Sequence, residues 1–307
     1  PGWTLPGVMT VGAAQTLLKS SGLVPDGRIA VAGSGPLLYL YVSQLIKAGK
    51  KPQVILDTRP RASLQAKLSV LTALTVDPAS MFRGLGWMRE VRREVRVRER
   101  VHQLRAGGVE KLSSISYESC DRQFTDEVDL LLVHDGVIPN TWLGMSAGCR
   151  HHWHAQQRCW VPDITGVGQT SRQSVSVVGD AAGIIGADAS VLQGEAVARE
   201  VIACLEGKQQ TAVGNTAHPW LVRQHRLLRR CLDQFYPPAQ EFELPPDDET
   251  IVCRCEEVTA GEIRRVAALG CVGPNQGKAF TRCGMGPCMG RKCGVTVSRL
   301  IAEHHGL

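Results

Sequence analysis

Cys253-Arg254-Cys255 and, after 27 intervening residues, Cys283-Gly284-Met285-Gly286-Pro287-Cys288 are the side chains whose type and spacing could do chemistry most directly, with Cys293 five positions beyond. Two close thiol pairs can converge on one centre. Glycines around the second pair let backbone N–H groups come near the sulfurs. Four cysteines suit a [2Fe–2S] cluster or tetrahedral zinc. Zinc pairs usually enclose two to four residues, so the single residue between Cys253 and Cys255 favours the cluster. The bland alternative is a set of thiols that coordinate nothing.

A second candidate is Gly33-Ser34-Gly35-Pro36-Leu37-Leu38, between a strand and a helix. Gly33 and Gly35 let a phosphate approach the backbone, and the helix N-terminus supplies N–H groups. Leu38 stands where the G-x-G-x-x-G/A fingerprint has its third small residue, so helix and strand must pack differently. Asp57 ends the next strand, 22 residues past Gly35, where a carboxylate would hold adenosine ribose hydroxyls. The competing reading is a Rossmann unit without a ligand. A third candidate is the Gly179-Asp180 pair after Ser174–Val178, which sets a carboxylate beside a helix start. On its own that pattern is equally a helix cap. Cys149, His151, His152, His154 and Cys159 look metal-like, but their spacing fits no standard site and neighbouring strand residues face opposite sides. No catalytic acid, base or nucleophile stands out, so the catalytic residues are unknown at this stage.

These residues need elements to hold them. Arg28–Ala32, Leu37–Ala48 and Gln53–Asp57 read as strand, helix, strand, a β-α-β unit of the roughly 30 residues that a parallel crossover needs. A helical stretch begins near Ala13. Leu64–Leu104 is mostly helical in pattern, Asp129–His134 is a strand closed by turn residues through Asn140, and Ser174–Val178 is a strand leading into a helix over Ala181–Leu205. Glu206–Gly214 reads as a helix exit and loop, and His218–Phe235 as a basic helix. Four prolines and five acidic residues between Pro237 and Thr250 mark a linker. Thr259-Ala260-Gly261-Glu262 is a capping box opening a helix that stops at Gly270, just after the first cysteine pair.

The chain has 307 residues, 43% hydrophobic and 21% charged, which is globular usage with room for about two domains. Aromatic residues at 5% argue against a base-stacking platform, and no apolar run reaches a membrane span, so neither nucleic acid nor a span is expected. The net charge of +6 is local: Arg83–Arg105 holds eight basic and three acidic side chains. A solvated helix face explains these arginines more simply than a phosphate site. Eleven cysteines without a secretory leader read as thiols or metal ligands in a reducing, cytoplasmic setting. The start at Pro1 suggests a fragment or one piece of a longer protein.

In this order the motifs resemble the α-type subunits of multi-subunit amine-oxidising flavoenzymes: opine oxidases, hydrogen cyanide synthase and hydroxyproline dehydrogenases. The resemblance covers nearly the whole chain. It implies an α/β, two-dinucleotide-binding-domain flavoprotein fold plus a small α-rich [2Fe–2S] domain. Residues 1–24 resemble a remnant of the FAD-binding domain, 25–146 the inserted NAD-type Rossmann domain, 147–210 the returning FAD half, 211–250 a helix and acidic Pro-rich linker, and 251–307 the [2Fe–2S] domain. Cys159-Trp160-Val161-Pro162 through Gly183 looks like the returning half, with Asp180 at the flavin's ribityl and phosphate region. Pro274–Cys288 resembles the domain named after bacterioferritin-associated ferredoxin, which implies the ligand set Cys253, Cys255, Cys283 and Cys288, with Cys293 as a competing fourth ligand. The family's first G-x-G-x-x-G, which holds the FAD pyrophosphate, is absent from this chain, so alone it is expected to bind FAD poorly.

The resemblance implies an electron-transfer subunit of an FAD-dependent amine or amino-acid dehydrogenase or oxidase of opine, hydroxyproline or glycine type. Its cofactors would be the cluster, FAD and, at Gly33–Gly35, NAD(P), another adenine nucleotide or nothing. Its partners would be a substrate-oxidising flavoprotein subunit together with a further small ferredoxin-like subunit, in the cytoplasm or peripheral to the inner membrane through the complex. The rivals are a self-sufficient NAD(P)H-dependent reductase and a non-enzymatic iron–sulfur module.

Overall fold

The computed structural model describes residues 1–166, 168–207, 219–239, 241 and 244–307, with the backbone alone over 219–223. The loop expected over Glu206–Gly214 therefore lies outside the described residues beyond 207, as do three positions of the expected linker. In chain order the elements are β1 (Val8–Thr10), α1 (Val11–Ser21), β2 (Ile29–Gly33), α2 (Pro36–Lys47), β3 (Val54–Asp57), α3 (Leu64–Val76), α4 (Pro78–Glu94), β4 (Arg96–Glu99), β5 (Val101–Gly107), β6 (Ser114–Ser119), β7 (Arg122–Glu127) and β8 (Leu130–His134). There follow α5 (Trp142–Ser146), β9 (His151–His154), β10 (Cys159–Pro162), β11 (Ile164–Thr165), β12 (Gln169–Thr170), a 3-10 turn (Gly179–Ala182), α6 (Ala187–Leu205) and α7 (Pro219–Phe235). The C-terminal elements are β13 (Ile251–Cys253), β14 (Val258–Thr259), α8 (Ala260–Ala268), α9 (Pro274–Thr281) and α10 (Gly294–His304). No helix among the described residues is long and apolar enough to cross a membrane.

The architecture is α/β, and the described residues form two compact units. The first comprises Pro1–Arg61, Gly84–Gly136 and Pro238–Leu307. Its sheet runs β1-β8-β2-β3-β4, all parallel, with β2 buried along its whole length as a strand covered on both faces should be. Register brings Gly33 opposite both Asp57 and His134 at the C-terminal ends of three adjacent strands. The chain leaves β2 towards β3 on one side and β8 lies on the other, so this end of the sheet is a topological switch point, where open α/β sheets hold ligands. An antiparallel meander, β5-β6-β7, shares a core with the sheet through Val101, Ile115 and Tyr117. The same unit carries β13, β14 and α8–α10 around a separate core of Val258, Ile263, Val297, Leu300 and Ile301. The Trp3 indole donates to the Ile251 carbonyl at 2.6 Å.

The second unit comprises Ala62–Arg83 and Val137–Pro237. Helices α3 and α6 pack on α7, and β9 pairs with β10. Ser63 caps α3 by accepting from the Ala66 N–H, and Asp233 of α7 is buried between Arg229 and Gln157.

Three expectations differ from what is observed. The helical stretch over Leu64–Leu104 breaks at Asp77, because the residue before Pro78 is driven out of helical geometry, and ends at Glu94. Beyond that point Arg96 and Arg98 lie on β4, Arg100 in the turn after it and Arg105 on β5, so the charge excess does not belong to one helix. The strand expected over Ser174–Val178 is reduced to a single bridge between Ser176 and Gln169, and α6 starts at Ala187 because Gly183 and Gly186 take left-handed geometry. The β5-β6-β7 meander has no counterpart in the sequence reading.

Candidate thiolate centre and nucleotide edge

β13 ends on Cys253, and the turn into β14 carries Cys255. Helix α9 stops where Arg282 adopts a left-handed conformation, which turns the chain back so that Cys283 faces Cys253. Two further turns follow, closed by Met289 N–H to the Gly286 carbonyl and Arg291 N–H to the Cys288 carbonyl, and they deliver Cys293 to the N-cap of α10. The Sγ atoms of Cys253, Cys283 and Cys293 lie within 4.8 Å of one another, and these residues are only 1%, 4% and 2% exposed. Cys255 and Cys288 are half-buried and hydrogen-bonded to each other. Gly286 makes the approach possible: a Cβ there would sit 2.2 Å from the Cβ of Cys255. Arg282 Nε donates to Glu256 at 2.9 Å, tying the residue before Cys283 to the one after Cys255.

The electrostatics favour thiolate at Cys293 and Cys288 and thiol at Cys283 and Cys255. The Cys283 thiol donates to Cys293 and Cys253 adds a second bond, which holds Cys293 below and pushes Cys283 above the ordinary thiol range. Burial works against a Cys288 thiolate, but the backbone N–H groups of Lys292 and Gly290 and the Cys255 thiol together lower it. The Cys288 N–H favours a Cys255 thiolate, yet the hydrogen bond to the Cys288 sulfur, burial and the Cys288 charge leave Cys255 raised. Five convergent thiols, three of them buried with one another as partners, are a donor set for a thiophilic centre. Cys271, which the sequence reading did not single out, is buried nearby but donates to the Gly273 carbonyl.

The nucleotide edge is built differently from the sequence expectation. Gly33 packs so close to β8 that a Cβ would lie 1.6 Å from the His134 carbonyl oxygen, and that carbonyl accepts from the Ser34 N–H at 2.8 Å. The His134 ring lies over Gly35, its Nε2 3.3 Å from where a Cβ would stand, and burial pushes its pKa down to about 4. A neutral imidazole therefore roofs the glycine turn. Asp57 is already engaged: Oδ2 accepts from the Tyr39 hydroxyl at 2.7 Å and Arg59 Nη2 at 3.2 Å, and Oδ1 from the Arg59 N–H at 3.0 Å. Its side chain is 3% exposed and that of Arg59 12%. Tyr39, Arg59 and His134 were not singled out by sequence. Their only signal was position, in the first turns of a helix or at a strand's C-terminal end facing the switch point.

In the second unit, Asp180 Oδ1 accepts from the Ile185 and Gly186 N–H groups, both at 3.2 Å, bracing the loop before α6. Its Oδ2 accepts nothing among the described residues. Gly179 N–H donates to buried Gln193 at 2.9 Å. The His/Cys patch disperses into separate bonds: Cys149 to Thr170, His152 to Asp163 at 2.6 Å, and His154 Nδ1 accepting from Gln157 N–H. Burial raises the Cys159 thiol to about 12. Among the described residues the patch gathers no three metal-ligating side chains.

No protein-family model matches the chain. The opine oxidase A subunit of Agrobacterium tumefaciens (strain Ach5) is 39% identical over 303 residues, spanning 98% of this chain and 60% of the relative. Its counterpart in Rhizobium meliloti (strain 1021), likewise an opine oxidase A subunit, is 37% identical over 316 residues, spanning 100% of this chain and 67% of the relative. Among solved structures, L-proline dehydrogenase from P. horikoshii matches with a TM-score of 0.60 at 17% identity, over 99% of this chain and 50% of that one, which shows a shared fold. The chain thus spans about 60% of the length of the first of these curated relatives.

Proposed function

This chain belongs to the opine oxidase A subunit family, and from that premise we propose that it is the electron-handling subunit of an FAD-dependent complex that oxidises C–N bonds of amines or amino acids. The observation that carries the reading is the convergence of five cysteines from β13, its following turn and the Arg282–Cys293 segment on one place. A [2Fe–2S] cluster fits that donor set and would supply one-electron exchange with a flavin. Half-buried Cys255 and Cys288 and buried Cys253 would hold the cluster at three positions. For the fourth position the geometry favours Cys293, exchanging it for the Cys283 of the expected set. Cys293 stands at the N-cap of an 11-residue helix whose positive end stabilises a thiolate, whereas Cys283 follows the end of a helix. Glu256 and Arg282 keep the two pairs in register.

The Gly179–Asp180 turn fits part of a flavin site, since Asp180 spends one oxygen on the loop and keeps the other for a ligand hydroxyl or N–H. The Gly33–Gly35 turn is a phosphate site narrowed by His134, and Asp57, 3% exposed beneath Tyr39 and Arg59, is screened from ribose hydroxyls although its Oδ1 keeps acceptor capacity. That arrangement disfavours a self-sufficient NAD(P)H reductase.

Anaerobic titration of the purified assembly with opines, secondary amines and amino acids tests the reading by visible absorbance. Bleaching of flavin and iron–sulfur bands by one of these substrates is the expected outcome. Bleaching by NADH alone would replace the amine reading with the reductase.

A further inference from the structure

The thiolate centre has an inner and an outer edge. Cys253, Cys283 and Cys293 are buried whereas Cys255 and Cys288 are half-exposed, so a reaction partner arriving from solvent meets the Cys255/Cys288 edge first. The surroundings of that edge are one-sided in charge. From Pro274 to Cys293 the chain carries four cations, Lys278, Arg282, Arg291 and Lys292, and no carboxylate. Glu256 neutralises Arg282. Lys278 Nζ donates to the uncharged Asn275, and exposed Arg291 and Lys292 meet no carboxylate among the described residues. Arg254 and Glu257 on the neighbouring loop cancel in charge. On either side of Cys288 stand Met285, 54% exposed, and Met289, 42% exposed, on turns that Gly286 sets flush against Cys255.

We propose that the Met285–Met289 face, with its rim of Lys278, Arg291 and Lys292, docks an acidic one-electron carrier protein, one that presents carboxylates around its own redox group. The inference rests on the cluster reading above. Two thioethers give apolar contact that adapts to a partner's shape, and interface cores favour such residues. Unpaired cations accelerate encounter with a carboxylate-bearing partner and fix its orientation, an effect that salt screens. In each transfer the reduced centre loses one electron and the oxidised carrier gains it; no proton moves and no bond forms or breaks.

The test uses the full chain with its cluster reduced by dithionite, followed at the iron–sulfur absorbance in a stopped-flow instrument. Hexacyanoferrate(III), an anion, and tris(phenanthroline)cobalt(III), a cation, serve as one-electron oxidants. The anion's rate is expected to fall several-fold as salt rises from low values to about 0.5 M, while the cation's rises. In the double variant Arg291→Glu, Lys292→Glu the two trends should exchange. A plant-type ferredoxin, which is acidic, is expected to bind the wild-type chain and to lose roughly tenfold in affinity for that variant. Basic cytochrome c should not bind the wild type. Salt trends of the same sign for both oxidants, or ferredoxin binding that is absent or indifferent to charge reversal, would overturn the docking face alone. A chain without iron–sulfur absorbance would remove the cluster reading and this proposal together.

Discussion

Cys283 and Cys293 compete for one coordination position, and two serine variants separate them. Cys293→Ser is expected to abolish the iron–sulfur absorbance, while Cys283→Ser keeps it with altered band positions, since a hydrogen-bond donor beside the sulfur is changed. The reverse pattern would return the position to Cys283, and zinc without iron in elemental analysis would end the cluster reading. His134 makes a second prediction, through pH. Its pKa falls from 6.5 unfolded to about 4 folded, because burial disfavours the imidazolium. The unfolded chain therefore binds a proton that the folded chain refuses. Stability from this group is complete above pH 6.5 and declines as pH falls towards 4, by at most about 3 kcal/mol. His134→Asn should flatten denaturant midpoints across that window. An unchanged slope would show that the imidazole is solvated.

At the scale of elements, Thr259 and Glu262 form a reciprocal capping box at the start of α8, the Thr259 hydroxyl accepting from Glu262 N–H and Glu262 accepting from Thr259 N–H at 2.8 Å. Thr259→Ala is expected to cost about 1 kcal/mol in denaturant unfolding, with Thr259→Ser recovering most of it. An alanine variant as stable as wild type would mean that packing of Ile263 and Val266 alone fixes the helix. This box was legible in sequence because its partners are three residues apart. So were β2, α2 and β3, where apolar run, glycine turn and proline at the helix start agree. The meander β5-β6-β7 was not legible. Its arginines continue a helical charge pattern past Glu94, and its apolar face is visible only against the sheet it covers. The same limit applied at the sites. Spacing revealed the cysteines but not which one stands at a helix N-terminus, and it revealed Asp57 but not that Tyr39 and Arg59 bury it.

For the molecule as a whole, the chemistry assigned to it needs more than this chain offers. Oxidising a C–N bond removes two electrons from a substrate that must be recognised, whereas a thiolate-held cluster exchanges one electron at a time and reads no substrate. The described residues present no convergent acid, base and nucleophile that could take over substrate binding. The relatives it matches are themselves subunits, and the chain spans about 60% of the first of them. On the function proposed above, C–N oxidation is predicted to lie on a second, substrate-binding flavoprotein chain in lasting contact with this one. Purification of a tagged full-length protein from its native cells, followed by native mass measurement, is expected to find that chain in fixed ratio and to release flavin on denaturation. Reconstitution of the separated chains should restore amine-dependent bleaching of the iron–sulfur band, while each alone should fail. If the isolated polypeptide is monomeric and turns over an amine at the rate of the assembly, the subunit reading gives way to a self-sufficient enzyme whose substrate site lies on this chain.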